Sequence, residues 1–407
     1  MLDDADLARR LAELVVGFGA NVQPGQVVAV TTAPGKEQVT RAVAKAAYER
    51  GARWVDVMSF DPWLKRARVE LAPEDSLDFV PPWLVDRLEW LSRERGARIS
   101  LSGPTALHAL DGLDPARAGR DLLPYLPNTG AVVNRRTTNW CVAPAPSRGW
   151  AAAVYPEAAP DDAYERLWRA VEHICRLDAD DPEQAWRERT AAVTVAAEWL
   201  DACRFDAIHL HGPGTDLTVG LLPSSTWHAG GSETAAGIPF FSNIPSEETF
   251  TGPDPRRAEG VVTATRPLHL HGSLIDGIRV EFRDGRAVRV DADRGADALR
   301  AAAAKDDGAS RLGELALVDR AGRVGEQATV FHDTLLDENA ASHVALGNAY
   351  LSSAADEDDK RLLNRSGIHV DFMIGSPELA VDGITRGGER VPVMRDGAWL
   401  LPDTISA

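Results

Sequence analysis

An α/β fold in two parts is what this sequence predicts, on three grounds. Strand and helix patterns alternate through the first 180 residues, strands and turns dominate after Ala207, and 407 residues exceed one ordinary core. The expected architecture is an N-terminal α/β domain over 1–180 with a mostly parallel sheet. A β-rich α+β domain over 181–407 follows it. The division is placed near Asp178-Ala179-Asp180-Asp181-Pro182, a polar break between two helical patterns.

Each element has a local reason. A helical pattern at Ala5–Phe18 leads through a Gln23-Pro24-Gly25 turn to a buried strand at Val27–Thr31. Ala33-Pro34-Gly35 turns into a helix at Glu37–Arg50, followed by a strand at Ala52–Phe60, a helix at Pro82–Glu94 and a strand at Ala97–Leu101. The first strand–turn–helix carries neither G-x-G-x-x-G nor a Walker Lys-Ser/Thr, so nucleotide binding is not expected. From Gly103 to Pro160 the chain is loop-rich, with a strand expected at Ala151–Tyr155. Helices are expected at Asp161–Arg176 and Asp181–Phe205. Strands then follow at Ile208–His211, Asp216–Leu221 and Thr226–Gly231, and Asp284-Gly285 marks a hairpin between Arg279–Phe282 and Ala287–Val290. Gly212-Pro213-Gly214 reads as a turn, because no basic residue follows it to meet a phosphate.

Composition narrows the function. A net charge of −17 argues against nucleic acid and anionic membranes as partners. No long apolar window marks a membrane span, and the acidic start Met1-Leu2-Asp3-Asp4 does not read as a signal peptide. Cys141, Cys175 and Cys203 are odd in number and widely spaced, which suits a reducing cytoplasm. The eleven tryptophans are scattered and are expected to fill cores.

The chemistry gathers between Phe331 and Gly375. Asp337 is a good N-cap, and the small residues after it predict a helix to about Ala349, with His343 and Tyr350 two turns apart on one face. Glu338 lies in its first turn. Ile368-His369-Val370-Asp371-Phe372-Met373-Ile374 alternates strictly, so His369 and Asp371 share one strand face and the apolar residues the other. Upstream, Ser246-Glu247-Glu248-Thr249 sets adjacent glutamates in a turn, and Glu314 opens an apolar strand where burial without a partner is costly. Any one of these residues has an ordinary structural explanation as a cap or a satisfied core histidine. Together, Glu248, Glu314, Glu338, Asp371, His343 and His369 place four carboxylates and two imidazoles in apolar contexts that call for a shared cation. The pairs His209/His211 and His269/His271 alternate on expected strands and are assigned structural roles, with His332 a lesser candidate for a supporting one. The run Asp356–Lys360 reads as a solvated loop.

The segments Trp227–Glu233, Ser242–Thr251, Gly260–Arg266, Leu312–Val318, Asp337–His343 and His369–Gly383 resemble the thermophilic metallo-aminopeptidases of the aminopeptidase T and aminopeptidase S type, over essentially the whole chain. The resemblance implies two divalent metal ions (Zn, Co or Mn) held by Glu248, Glu314, Glu338, His343, His369 and Asp371, with Glu314 shared. It also implies a homodimer, and Tyr350 matches a family tyrosine near the metals. Phe331-His332-Asp333 and the Asp356–Lys360 loop depart from the family pattern without touching an implied ligand. The expected activity is removal of N-terminal residues from peptides with a free α-amine. Glu247 is the expected general base and Tyr350 the donor to the oxyanion. Two alternatives stand beside it. His343, His369 and Asp371 alone would suit a mononuclear iron(II) ring-cleaving dioxygenase of a dihydroxypyridine, a group that resembles this family, and a non-catalytic peptide- or metal-binding protein is the other.

Overall fold

The computed structural model describes residues 3–121, 123–126, 128–270, 273–320 and 322–402. The chain forms two compact units: Met1–Glu188 with Gly230–Ser246 and Phe331–Leu336, and Arg189–Ala229 with Glu247–Val330 and Asp337–Ala407. The division thus falls within a helix between Glu188 and Arg189, and two later segments belong with the first unit.

The first unit is laid out as α1 (Asp4–Leu14), β1 (Val27–Thr32), α2 (Glu37–Glu49), β2 (Trp54–Ser59), α3 (Pro62–Leu71), α4 (Pro82–Arg93) and β3 (Ala97–Ser102). It continues through α5 (Pro115–Arg120), α6 (Thr129–Asn134), β4 (Asn139–Pro144), α7 (Arg148–Val154) and α8 (Pro160–Ile174). Asp3 caps α1 by accepting the Ala5 and Asp6 N–H groups, and Leu7, Leu11 and Leu14 bury one stripe of that helix. The four strands are parallel in the order β2-β1-β3-β4, so the direction of winding reverses between β1 and β3.

Two expectations are corrected here. Residues 151–155 are not a strand: 151–154 belong to α7 and Tyr155 follows as its C-cap, with Ser147 capping the Trp150 N–H and a run of alanines favouring helix. The fourth strand is β4, whose proline-rich surroundings hide its alternation. The tryptophans also divide, for Trp150, Trp168 and Trp186 are fully buried while Trp54, Trp63, Trp83 and Trp90 are exposed on β2, α3 and α4.

Helix α9 (Pro182–Cys203) leads to β5 (Ala207–Gly212), β6 (Thr215–Gly220) and β7 (His228–Ala229). The hairpin β8 (Gly231–Glu233) and β9 (Pro239–Phe241) lies in the first unit's returning segment. The second unit resumes with β10 (Glu248–Thr251), β11 (Ala258–Thr263), β12 (Leu268–Leu270), β13 (Ser273–Ile275), β14 (Arg279–Arg283), β15 (Arg286–Asp291), α10 (Ala296–Ala303) and β16 (Leu312–Val318). After α11 (Arg323–Glu326) and α12 (Thr334–Glu338) come β17 (His343–Gly347), α13 (Glu357–Leu362), β18 (His369–Met373), β19 (Ala380–Ile384), β20 (Arg390–Arg395) and β21 (Ala398–Trp399).

Two antiparallel sheets organise this unit, β15-β14-β11-β6-β5-β19-β20-β21 and β18-β17-β16-β10-β7. Leu210, Leu217 and Val280 from the first meet Leu315, Val344 and Phe372 from the second in one core. The β14–β15 turn has Asp284 at φ 49° and Gly285 at φ 75°, the left-handed pair that a two-residue hairpin needs. The charge run at 356–360 is helical rather than a loop. It forms most of α13, with acids in the first turn, Lys360 and Arg361 in the last, and Glu357–Lys360 and Asp358–Arg361 pairs along it. No helix among the described residues is long and apolar enough to cross a membrane. His271 lies outside the described residues, and His269 sits on β12.

Candidate metal centre

The five-stranded sheet has one apolar and one ionisable face. Register pairs Glu314 with Ala345 and Ala345 with Asp371, Ala316 with His343, and Gly347 with His369. Glu248 pairs with Val318 on β10. Paired residues share a face and so do residues two apart along a strand. Glu248, Glu314, His343, His369 and Asp371 therefore project together from four adjacent strands. Their neighbours Leu315, Leu317, Val344, Leu346, Val370 and Phe372 point into the core. Ala316 and Ala345, small residues on the ionisable face, leave space between these side chains.

His343 is the main correction. No helix runs from Asp337 to Ala349: α12 ends at Glu338, and His343–Gly347 is the strand β17. Pairing on both sides, with β16 and β18, outweighs the helix propensity of the alanines. His343 and Tyr350 thus share no helical face. Gly347 ends β17 at φ 108°, where a Cβ would lie 2.2 Å from the Ile368 carbonyl oxygen, so only glycine lets β17 and β18 close this tightly. The ladder is irregular between Leu312 and Glu314, a bulge of the kind that re-aims side chains beside functional sites.

Two trios can each hold an ion: Glu248, Glu314 and His343, and Glu314, His369 and Asp371. His343 Nε2 lies 3.1 Å from Glu248 Oε2 and 3.5 Å from Glu314 Oε1. His369 Nε2 lies 3.3 Å from Asp371 Oδ1 and 3.7 Å from Glu314 Oε2. Each oxygen of Glu314 thus faces a different imidazole, the disposition of a bridging carboxylate. His343 Nδ1 is 3.2 Å from the Ala341 carbonyl and His369 Nδ1 is 2.8 Å from that of Asn348. These contacts place the imidazole protons on Nδ1 and turn both Nε2 atoms toward the carboxylates. Glu248 Oε2, His343 Nε2 and Asp371 Oδ1 are buried without a hydrogen-bond partner, which fits oxygen and nitrogen donors prepared for a divalent cation.

Electrostatics point the same way. Burial raises the pKa of Glu314, opposed by His343 and His369 and reinforced by Asp371 and Glu248. Burial also lifts Glu338 well above the ordinary range, aided by the charges of Glu248 and Asp371. Burial disfavours both imidazolium ions, yet the carboxylates outweigh it, raising His343 well above its usual value through Glu248 and Glu314, and His369 to about 10 through Asp371 and Glu314. Burial pushes against ionisation of Asp371 as well, and there His369 prevails and lowers its pKa. Tyr350, raised by burial and then by Glu314 and Asp371, stays a protonated donor; its ring lies 6.2 Å from that of His369. Glu338 feels all four of Glu248, Asp371, His343 and Glu314 but is in neither trio.

Glu247 has a different setting. Its side chain is buried, Arg189 Nε of α9 donates to its Oε2, and its own N–H donates to Asn339 Oδ1 at 2.5 Å. Sequence reading missed Arg189, which lies 58 residues away on a helix with only general charge to mark it. His332 belongs to the first unit, at φ 56°, with burial and His108 lowering its pKa. A third group, His209, His211 and Asp382, also has ligand spacing. Its charge is already met, because Arg390 Nη1 reaches His209 Nδ1 at 2.7 Å, Arg395 pairs with Asp382, and His209 Nε2 is 2.8 Å from Asp216.

The chain matches the family described as thermophilic metalloprotease (M29) over residues 4–399. It is 41% identical to Aminopeptidase T of Thermus thermophilus across 96% of this chain and 98% of that one. Aminopeptidase PepS of Streptococcus thermophilus is 36% identical across 96% and 97%. The solved structure of wild-type AmpT from Thermus thermophilus superposes with a TM-score of 0.87 at 40% identity, covering 97% of this chain and 99% of the other. With a full-length match and relatives this similar, the chain belongs to the thermophilic metalloprotease (M29) family.

Proposed function

We propose that this protein is a metal-dependent aminopeptidase that removes N-terminal residues from peptides through a dinuclear divalent-metal site. One observation carries the reading, namely that the two oxygens of Glu314 face two separate imidazole–carboxylate groups on a buried sheet face. Glu248, Glu314 and His343 would hold one ion and Glu314, His369 and Asp371 the other, with Glu338 contributing from α12. Zinc, cobalt and manganese suit these donors. When bound, such a pair supplies Lewis acidity and a water made nucleophilic near neutral pH.

The chain's own groups do the rest. Glu247, whose Oε2 accepts from Arg189, takes up a proton and returns it to the leaving amine. Tyr350, protonated, donates to the oxyanion. The iron dioxygenase reading loses support, because His343 groups with Glu248 whereas His369 and Asp371 form the other trio. Cys141, Cys175 and Cys203 are free thiols, which supports a cytoplasmic setting, and the exposed tryptophans of β2, α3 and α4 support a homodimer. The test pairs a free-amine peptide with its N-acetylated form. Only the free amine should be cleaved, chelator should abolish turnover, and Zn, Co or Mn should restore it at about two ions per chain. Internal cleavage of the blocked peptide, or a saturating single iron, overturns the reading.

A further inference from the structure

The first unit contains a second built site that the peptidase residues do not use. Under α4, a cavity of about 60 Å³ opens on the parallel sheet where the strand order reverses. A single water occupies about 10–15 Å³ of such space, so the cavity takes a ligand of several heavy atoms. Its floor includes Thr31 of β1 and Ser100 of β3, paired in register, with Arg98 two residues before Ser100.

Arg98 makes the cavity chemically specific. Its Nη1 is buried with no hydrogen-bond partner, and no carboxylate among the described residues forms an ion pair with it. A second guanidinium in the wall, Arg87, is already occupied, since its Nε donates to Asp56 Oδ2 at 2.5 Å. A buried cation without a counter-ion is strongly unfavourable, and a guanidinium is suited to planar oxyanions. Leu88 of the α4 roof is apolar, whereas Thr129 adds a hydroxyl.

We propose that this cavity binds a small oxyanion on a short apolar body, with Arg98 as the counter-ion and the hydroxyls of Thr31 and Ser100 beside it. A short branched carboxylate fits both the charge and the apolar roof. Inorganic phosphate offers the same oxyanion chemistry without the apolar part.

The experiment is thermal denaturation of the full-length, metal-loaded enzyme titrated separately with isovalerate and with inorganic phosphate. Isovalerate should raise the wild-type Tm by about 2 °C or more at saturation. The rise should vanish in Arg98→Met and in Leu88→Phe, which fills the cavity and keeps the guanidinium. Metal content and turnover should be unchanged in both. A rise confined to phosphate and lost in Arg98→Met assigns the site to the inorganic oxyanion. A rise that both variants retain places the ligand elsewhere and overturns the proposal, as does no rise with either compound. Should Arg98→Met fail to fold, the Leu88→Phe comparison decides alone.

Discussion

Glu314 is the residue on which both candidate ions depend. Glu314→Gln removes the anionic charge that faces both imidazoles, whereas Glu248→Gln touches one trio. Metal analysis after dialysis should therefore find both ions weakened in the first variant and one in the second, with activity of Glu248→Gln partly restored by excess metal. Equal loss in both would contradict a shared carboxylate. Arg189 and Glu247 give a separate test. Glu247→Gln should keep its metal yet lose roughly 10²–10⁴ in kcat, as general-base removal does. Arg189→Met breaks the buried ion pair with Glu247, and breaking such a pair costs about 3–5 kcal/mol. Denaturant midpoints should show that loss for Arg189→Met, and near-normal turnover in Glu247→Gln would move the base elsewhere.

At the scale of elements, β17 and β18 set the geometry of the proposed ligands. Gly347→Ala forces a Cβ against the Ile368 carbonyl at a left-handed φ, and strain of this kind costs about 1–3 kcal/mol. The strands should separate at that corner, moving His369, the register partner of Gly347. A lower denaturation midpoint together with weaker metal binding is expected, and unchanged metal affinity would mean that the corner does not position His369. The same elements show what the sequence could and could not reveal. The strict alternation at Ile368–Ile374 exposed β18 and the shared face of His369 and Asp371, because a half-buried strand writes period two into its residues. The sequence around His343 reads as helix because its neighbours are small and its strand is buried on both faces, leaving no alternation to read. Arg189 left no local trace at all, since its partner is fixed only by tertiary packing.

For the molecule as a whole, two linkage effects can be separated. Lys36 is buried and donates to the Leu101 and Ser102 carbonyls at 2.8 Å each; burial, only partly offset by Asp333, lowers its pKa to about 8. The unfolded chain keeps that proton to the model-peptide value of 10.5, so between about 8 and 10.5 the unfolded state binds more protons. This contribution to stability therefore rises with pH across that window, by about 3 kcal/mol in all, and is absent below it. Comparing denaturant midpoints of wild type and Lys36→Met at both ends should show the rise with pH to be larger in wild type by this amount. Metal linkage acts elsewhere. All six proposed ligands lie in the second unit, and a ligand stabilises the fold that binds it by RT ln(1 + [L]/Kd). Each unit has a sheet of its own, so local opening need not be shared. Chelation should speed amide exchange in β10, β16, β17 and β18, which carry the sheet-borne ligands, and leave β1 and β3 of the parallel sheet protected. Hydrogen exchange read by peptide mass resolves these strands directly. Equal acceleration in β1 and β3 would mean that the units open as one, and no change in β16 or β17 would mean that Glu314 and His343 bind no metal.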